Sequence, residues 1–340
     1  MNAYERVMNR LHGKPVDRVP NFDIIMGFGA HYVGATLSQY LLDHHYMVKS
    51  NLAMVNDFDI DILQTLTDPF RESADFGLEV EFPEDGLPKR IRPLLAPGDD
   101  IKKVPLIDPG NGRRMSDRIE AVRMLHEQAN KVVPVMGWVE GAMAEANDLL
   151  SDSIMMTAFY DDPTWLTALM ERITEVEIAF ARLQIDAGAD IIGLGDAVAS
   201  IVSPSMYRQF ALPYEKRIFD AVHEKGALAR LHICGNTSKI LPDMLASGAD
   251  FIDVDWMVDY AKAAETFGEQ AGLVGNFDPV SVMYSGSEQM IEEATLHCLA
   301  VGGSRSFSAA GCEIPDGTPP NNLHTHARVL REAGNSSVVK

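Results

Sequence analysis

The alternation of short apolar runs with amphipathic stretches predicts a (β/α)8 barrel, the TIM-barrel fold. Three observations carry that expectation. About eight runs have the length and apolarity of buried parallel strands. Stretches of helical periodicity separate most of them. No glycine-rich dinucleotide turn follows any of them, which disfavours a doubly wound sheet. The 340 residues exceed a usual single domain. Barrels of this class nevertheless run past about 250 residues as one unit, so 1–340 is read as one domain.

The elements follow in order. MNAYERVMNRLHGKP is polar and helix-like, an N-terminal helical segment without the apolar run of a targeting peptide. Its first residues, MNAYE, and the closing NSSVVK are expected to fray. The first two strands are RVPNFDII (18–25) and IDILQTL (60–66). An acidic span at about 80–115 then breaks the rhythm and reads as a small insertion with hairpin character. VVPVMGWV (132–139), ADIIGLG (189–195), LARLHIC (228–234), DFIDVD (250–255), GLVGNF (272–277) and RSFSAA (305–310) complete the set. Helices are expected to open at Ser203-Pro204 and Thr318-Pro319, with proline in the first turn. Another is expected after a Thr237 cap, with Ile240, Leu241, Met244 and Leu245 on one face.

Composition excludes several functions. Lys plus Arg number 29 against 49 Asp plus Glu, a formal charge of −20. That argues against nucleic acid or an anionic membrane surface as partner and favours a small substrate or another protein. No run approaches the roughly 18 apolar residues of a membrane span. Three cysteines are too few for a disulfide framework and suit a reducing cytoplasm.

Two of those cysteines stand in telling places. Along the fifth strand, LARLHIC, side chains alternate, so Arg230, His232 and Cys234 share a face. Such a face suits the barrel lumen better than a helix-packing surface, and it puts Cys234 at the C-terminal rim, where barrel active sites lie. AAGCEIP follows the eighth strand and brings Cys312 to the same rim. One imidazole and two thiolates make a zinc ligand set with an open fourth position. On spacing alone, buried cysteines packing as small hydrophobes fit equally well. Cys298, in the helical TLHCLAVGG, is read that way.

The chain also resembles the uroporphyrinogen decarboxylase superfamily over almost its whole length. The resemblance rests on ERVMNRLHGKPVDRVP, FDIDILQTLTDPFRESADFG, VSPSMYRQFALPYEKRIFDAV, LHICGNTSKILPDMLASGADFIDVDW, VGNFDPVSVMYSG and GCEIPDGTPPNNL, in that order. It implies a uroporphyrinogen decarboxylase-like barrel. The arginine-rich loop that holds porphyrin carboxylates in the decarboxylases is missing from NFDIIMGFGAHYVG. The His-x-Cys…Cys set, present here as His232, Cys234 and Cys312, is similar to that of the zinc- and corrinoid-dependent methyltransferase branch. The resemblance therefore implies Zn2+ on those three residues. It also places Asp68, in LTDPF, at the position of the decarboxylases' active-site aspartate. The D-x-H-x-x-G pattern of corrinoid-binding domains is absent, GAHYVG having Gly29 where aspartate should stand. A corrinoid (cobalamin) is thus expected to arrive on a separate corrinoid-binding protein docking at the barrel mouth.

Glu140, at the end of the third strand, is a candidate catalytic residue or fourth zinc ligand, and Asp196, after the fourth, is a similar candidate. Asn236 is a candidate substrate contact. Met26, Phe28, Tyr32, Met136 and Trp138 are candidates for an apolar substrate wall. Glu313 is read as orienting a metal ligand, and Arg230 as paired in the lumen with a carboxylate such as Asp253. The favoured reaction moves methyl from a small methylated substrate, such as an O-methyl aromatic, to Co(I). The alternatives are transfer from a methylcorrinoid to a thiol and a metal-free decarboxylase-like protein. The rim loops are short of Lys and Arg, which weighs against a sulfonated thiol.

Overall fold

The computed structural model describes residues 1–66 and 68–334. Seven parallel strands are hydrogen-bonded in sequence: Leu63–Gln64, Val135–Glu140, Ile191–Gly195, Leu228–His232, Phe251–Asp253, Gly272–Phe277 and Ser306–Ala310. The 18–25 run supplies the remaining position through one parallel bridge, Asn21 to Ser308. On its other side the Asp61 N–H donates to the Asn21 carbonyl at 2.9 Å. The barrel closes there. Pro20 has no N–H to give, which limits ladder formation in this first segment.

The closed sheet is buried on both faces, which is why its strands read as nearly continuous apolar runs. Phe22, Phe251 and Phe307 pack together in the lumen, with ring centroids 4.7 Å apart for Phe22–Phe307 and 5.1 Å for Phe251–Phe307. Arg230 lies over the Phe22 ring and donates to Asp253 at 2.9 Å, the lumenal pairing expected of it. Cys298 is buried on the helix Glu288–Val301, as packing predicts.

The N-terminus departs from expectation. Asn2 and Glu5 form a reciprocal capping box on the helix Ala3–Leu11. Arg6 then reaches Asp17 at 2.7 Å and Asp61 at 2.6 Å. MNAYE is therefore anchored, while NSSVVK lies outside the described residues. The 80–115 span contains the antiparallel pairing of Val80–Glu81 with Lys89–Arg90 and two 3-10 turns, and the helix Arg113–Ala129 begins inside it. Ser203 caps the helix Pro204–Phe210 as expected. Thr237 does not act as a cap: its hydroxyl is buried without a partner among the described residues, and the helix starts at Leu241. The last helix, Pro320–Gly334, starts just past Thr318-Pro319. Among the described residues no helix is long and apolar enough to cross a membrane.

Candidate metal and substrate site

Strand alternation puts Arg230, His232 and Cys234 on one side of the fifth barrel position. The loop after Ser306–Ala310 returns Cys312 to them. His232 Nε2 lies 3.1 Å from Cys234 Sγ and 3.9 Å from Cys312 Sγ, and the two sulfurs are 3.6 Å apart. A tetrahedral zinc with Zn–S of about 2.3 Å and Zn–N of about 2.0 Å needs S···S of roughly 3.8 Å and N···S of roughly 3.5 Å. The three donors fit that ion in both kind and spacing.

The histidine is held by its other nitrogen. Asp253 Oδ2 lies 2.8 Å from Nδ1, which holds the Nδ1 proton in place and turns Nε2, the nitrogen open to a metal, toward the two cysteines. Burial lowers the His232 pKa, but the electrostatic effect of Cys234 and the hydrogen bonds to Asp253 and both cysteines outweigh it and raise it well above normal. The hydrogen bond from the Cys234 thiol lowers Cys312, against the opposing effect of burial, while that same bond and burial raise Cys234. An ionised sulfur in this setting is a ready cation ligand.

These donors face a cavity of about 220 Å³ whose wall includes Ile24, Met26, Trp138, Glu140 and Glu313. Glu140 accepts from the Trp138 indole at 3.1 Å and lies 4.0 Å from Arg71. Behind it sit the buried carboxyls of Glu72, Glu145 and Glu177, with Arg71 ion-paired to Glu72. Burial, then the neighbouring Glu72, pushes Glu140 well above the usual carboxylate range. Glu313 accepts from the Gly27 N–H at 3.1 Å and ties the first loop to the last; burial raises it to about 7. Sequence reasoning missed this carboxyl cluster, because Glu145 and Glu177 look like ordinary helix glutamates.

A second cavity of about 360 Å³ adjoins the first, sharing Met26, Pro69 and Glu313 with it. Leu37, Leu41, Leu87 and Pro88 supply much of its apolar wall. Asp68 lines this second cavity, held by Arg114 through two hydrogen bonds of 3.0 and 2.7 Å.

Other candidates lie elsewhere. Asp196 is buried outside the cavity wall and accepts from the Ala144 N–H at 3.0 Å, which ties the loop to the helix Ala142–Leu150. Burial raises its pKa to about 7. Asn236 accepts from the Ser238 N–H and lines a separate rim cavity beside Ser200 and Lys239. Phe28 packs against Phe58, and the half-exposed Tyr32 donates to Asp57. Of the expected apolar wall, Met26 and Trp138 border the 220 Å³ cavity, whereas Met136 is buried 3.8 Å from Arg230 in the lumen.

Comparison with known proteins bears on this arrangement. The family model for uroporphyrinogen decarboxylase (URO-D) matches residues 2–333. A methylcobamide:CoM methyltransferase of Methanosarcina mazei is 30% identical over 325 residues, covering 94% of each chain. Its counterpart in Methanosarcina acetivorans is 28% identical over the same length and coverage. A solved methyltransferase structure from Methanosarcina mazei superposes with a TM-score of 0.90 at 25% identity, over 99% of this chain and 100% of that one. With its barrel matched nearly end to end, the chain belongs to the uroporphyrinogen decarboxylase family, within which it is similar to corrinoid-dependent methyltransferases.

Proposed function

We propose that the chain is a zinc-dependent methyltransferase that takes methyl from a methylated corrinoid on a separate protein and passes it to a thiol. The observation that carries this reading is the convergence of His232, Cys234 and Cys312 at donor spacings suited to tetrahedral zinc. The methylcobamide:CoM activity named for the two Methanosarcina relatives supports the thiol as acceptor, ahead of the O-methyl donor favoured from sequence. In the transfer a carbon–sulfur bond forms as the cobalt–carbon bond breaks. The products are a thioether, Co(I) and the proton of the thiol.

Zinc held by these residues would supply Lewis acidity, lowering the pKa of a thiol so that it ionises near neutral pH. The chain's own residues do the rest. Asp253 fixes the His232 ring, and Trp138, Met26 and Ile24 shield the cavity from water. On loops that follow barrel strands, Ile201, Trp256, Met257, Val280 and Tyr284 are exposed, an apolar rim suited to a transient protein partner.

The second reading, methyl transfer from a small donor to Co(I), is favoured by the apolar character of the 360 Å³ cavity. One assay separates the two. Purified protein with methylcob(III)alamin should generate Co(I), followed by its absorbance, once a thiol is added. Cys234→Ala and Cys312→Ala should each lose most of the zinc and the activity while remaining folded. Consumption of Co(I) on adding O-methyl compounds, with thiols inert, would reverse the assignment. Full zinc in both cysteine variants would remove the metal site altogether.

A further inference from the structure

The charges around the two joined cavities constrain the organic substrate. Among the described residues, the ionisable side chains that line them, apart from His232 and the two cysteines, are Asp68, Glu140, Glu313 and Asp316, all of them carboxyls. The nearby cations are already committed. Arg114 grips Asp68, and Arg71 is ion-paired to Glu72 and lies 4.0 Å from Glu140. His31 sits between Asp85 at 2.8 Å and Asp316 at 2.5 Å. Lys239 makes no ion pair among the described residues, but it lines the separate rim cavity, which shares no lining residue with these two. A carboxylate or sulfonate entering here would have to break an existing pair or stand uncompensated among carboxyls. Either course is costly in a partly buried site.

We infer that the substrate of this site is an uncharged molecule with an apolar body, which seats against Leu37, Leu41 and Leu87 and points its sulfur at His232, Cys234 and Cys312. This rests on the thiol-acceptor reading and sharpens it. The Methanosarcina relatives are named for CoM, a sulfonated thiol, and among the described residues these cavities carry no uncommitted Lys or Arg to receive such a group. Discrimination of this kind comes as much from what a site repels as from what it binds.

The test uses matched pairs that differ in one anionic group: 2-mercaptoethanol against 2-mercaptoethanesulfonate, and benzyl mercaptan against 4-(mercaptomethyl)benzoate. Binding to the zinc-loaded protein is read by calorimetry, and kcat/KM by methylcob(III)alamin demethylation. The neutral member of each pair should be favoured at least ~10-fold in both readouts, the scale of a single poorly matched charge. Leu87→Arg, which sets a cation on an exposed position of the cavity wall, should narrow or reverse that preference. Lys239→Ala should leave it unchanged. Equal or better use of the anionic members, their selective loss in Lys239→Ala, or no response to Leu87→Arg would overturn the inference. The outcomes also separate the two claims. If no thiol turns over, the acceptor reading fails while the calorimetric preference still tests the cavity; if the sulfonate is the best acceptor, the reaction stands and this inference falls.

Discussion

Two buried carboxyl environments lie near His232, Cys234 and Cys312, and they are built in opposite ways. Asp253 stands between Arg230 at 2.9 Å and the His232 ring at 2.8 Å. Burial alone would raise its pKa, but those two partners hold it below the usual range. Across the cavity, Glu140 belongs to a group with Glu72, Glu145 and Glu177, and Arg71 is the guanidinium lodged among them. There burial comes first and mutual repulsion second, and Glu140, Glu145 and Glu177 are pushed well up. One guanidinium cannot neutralise four carboxylates, so the group is biased toward holding protons. Local charge balance, rather than residue type, favours the ionised form of Asp253 and the protonated form of Glu140.

The contrast is broken most severely at Asp253. In Asp253→Asn the amide can donate to His232 Nδ1, which favours the tautomer with its proton on Nε2, where it blocks a metal. Zinc affinity should fall by about 10–100-fold, the usual effect of losing such a partner, as measured by competition with a chromophoric chelator. Unchanged affinity would mean that the ring is oriented by something other than this carboxylate. The next largest effect belongs to Arg71→Met. It should cost about 1–3 kcal/mol in urea unfolding, the scale of a lost buried partner. The neighbouring carboxyls can take up protons, so the loss should stay below the roughly 3–5 kcal/mol of a broken, still-charged buried pair. A loss at the upper figure would mean that the carboxyls are ionised in the native protein.

These two environments also mark how far the sequence could be read. The eight runs from 18–25 to 305–310 fall on the eight barrel positions, because strands buried on both faces leave a strong apolar signal. His232 and Cys234 were legible through period-two alternation, and Arg230 with Asp253 through the cost of a lone lumenal charge. Cys312 needed its position after the last strand. The Glu72–Glu140–Glu145–Glu177 group was not legible. Its members come from separate helices and a strand end, and only tertiary packing shows that Glu177 points inward. Asp196 and Asn236 follow strand ends just as Glu140 and Cys234 do, yet they serve a neighbouring helix and a turn. Position on the rim marks a residue as near the site without saying which way its side chain turns.

A milder change sharpens the comparison at Glu140 itself. If its carboxyl is protonated, Glu140→Gln is nearly isosteric and keeps an acceptor for the Trp138 indole. Its stability near pH ~4, where a glutamate is largely protonated in the folded and unfolded states alike, should stay within about 0.5 kcal/mol of the parent, as for substitutions that remove no buried interaction. Asp253→Asn, by contrast, replaces a true anion and should be plainly destabilising in the same urea titration. Equal losses in the two variants would erase the distinction between the two sides of the cavity.

The most direct probe of protonation is at Glu177. Neither of its carboxyl oxygens has a hydrogen-bond partner among the described residues, and burial followed by the nearby Glu72 raises its pKa well above normal. The folded protein therefore keeps a proton there that the unfolded chain releases near pH ~4.3. Between that pH and the raised native pKa the folded state binds more protons than the unfolded one, so stability falls as pH rises. The contribution is fully present below the unfolded pKa and is lost on passing upward through the native one. Glu177→Gln carries no such proton, so its stability curve lacks this slope. The variant should match the parent near pH 4 and gain on it by up to about 1.4 kcal/mol per pH unit across the window. Parallel curves from pH 4 to 8 would show that Glu177 keeps the same protonation in both states, and the carboxyl group would then need a counter-charge beyond Arg71.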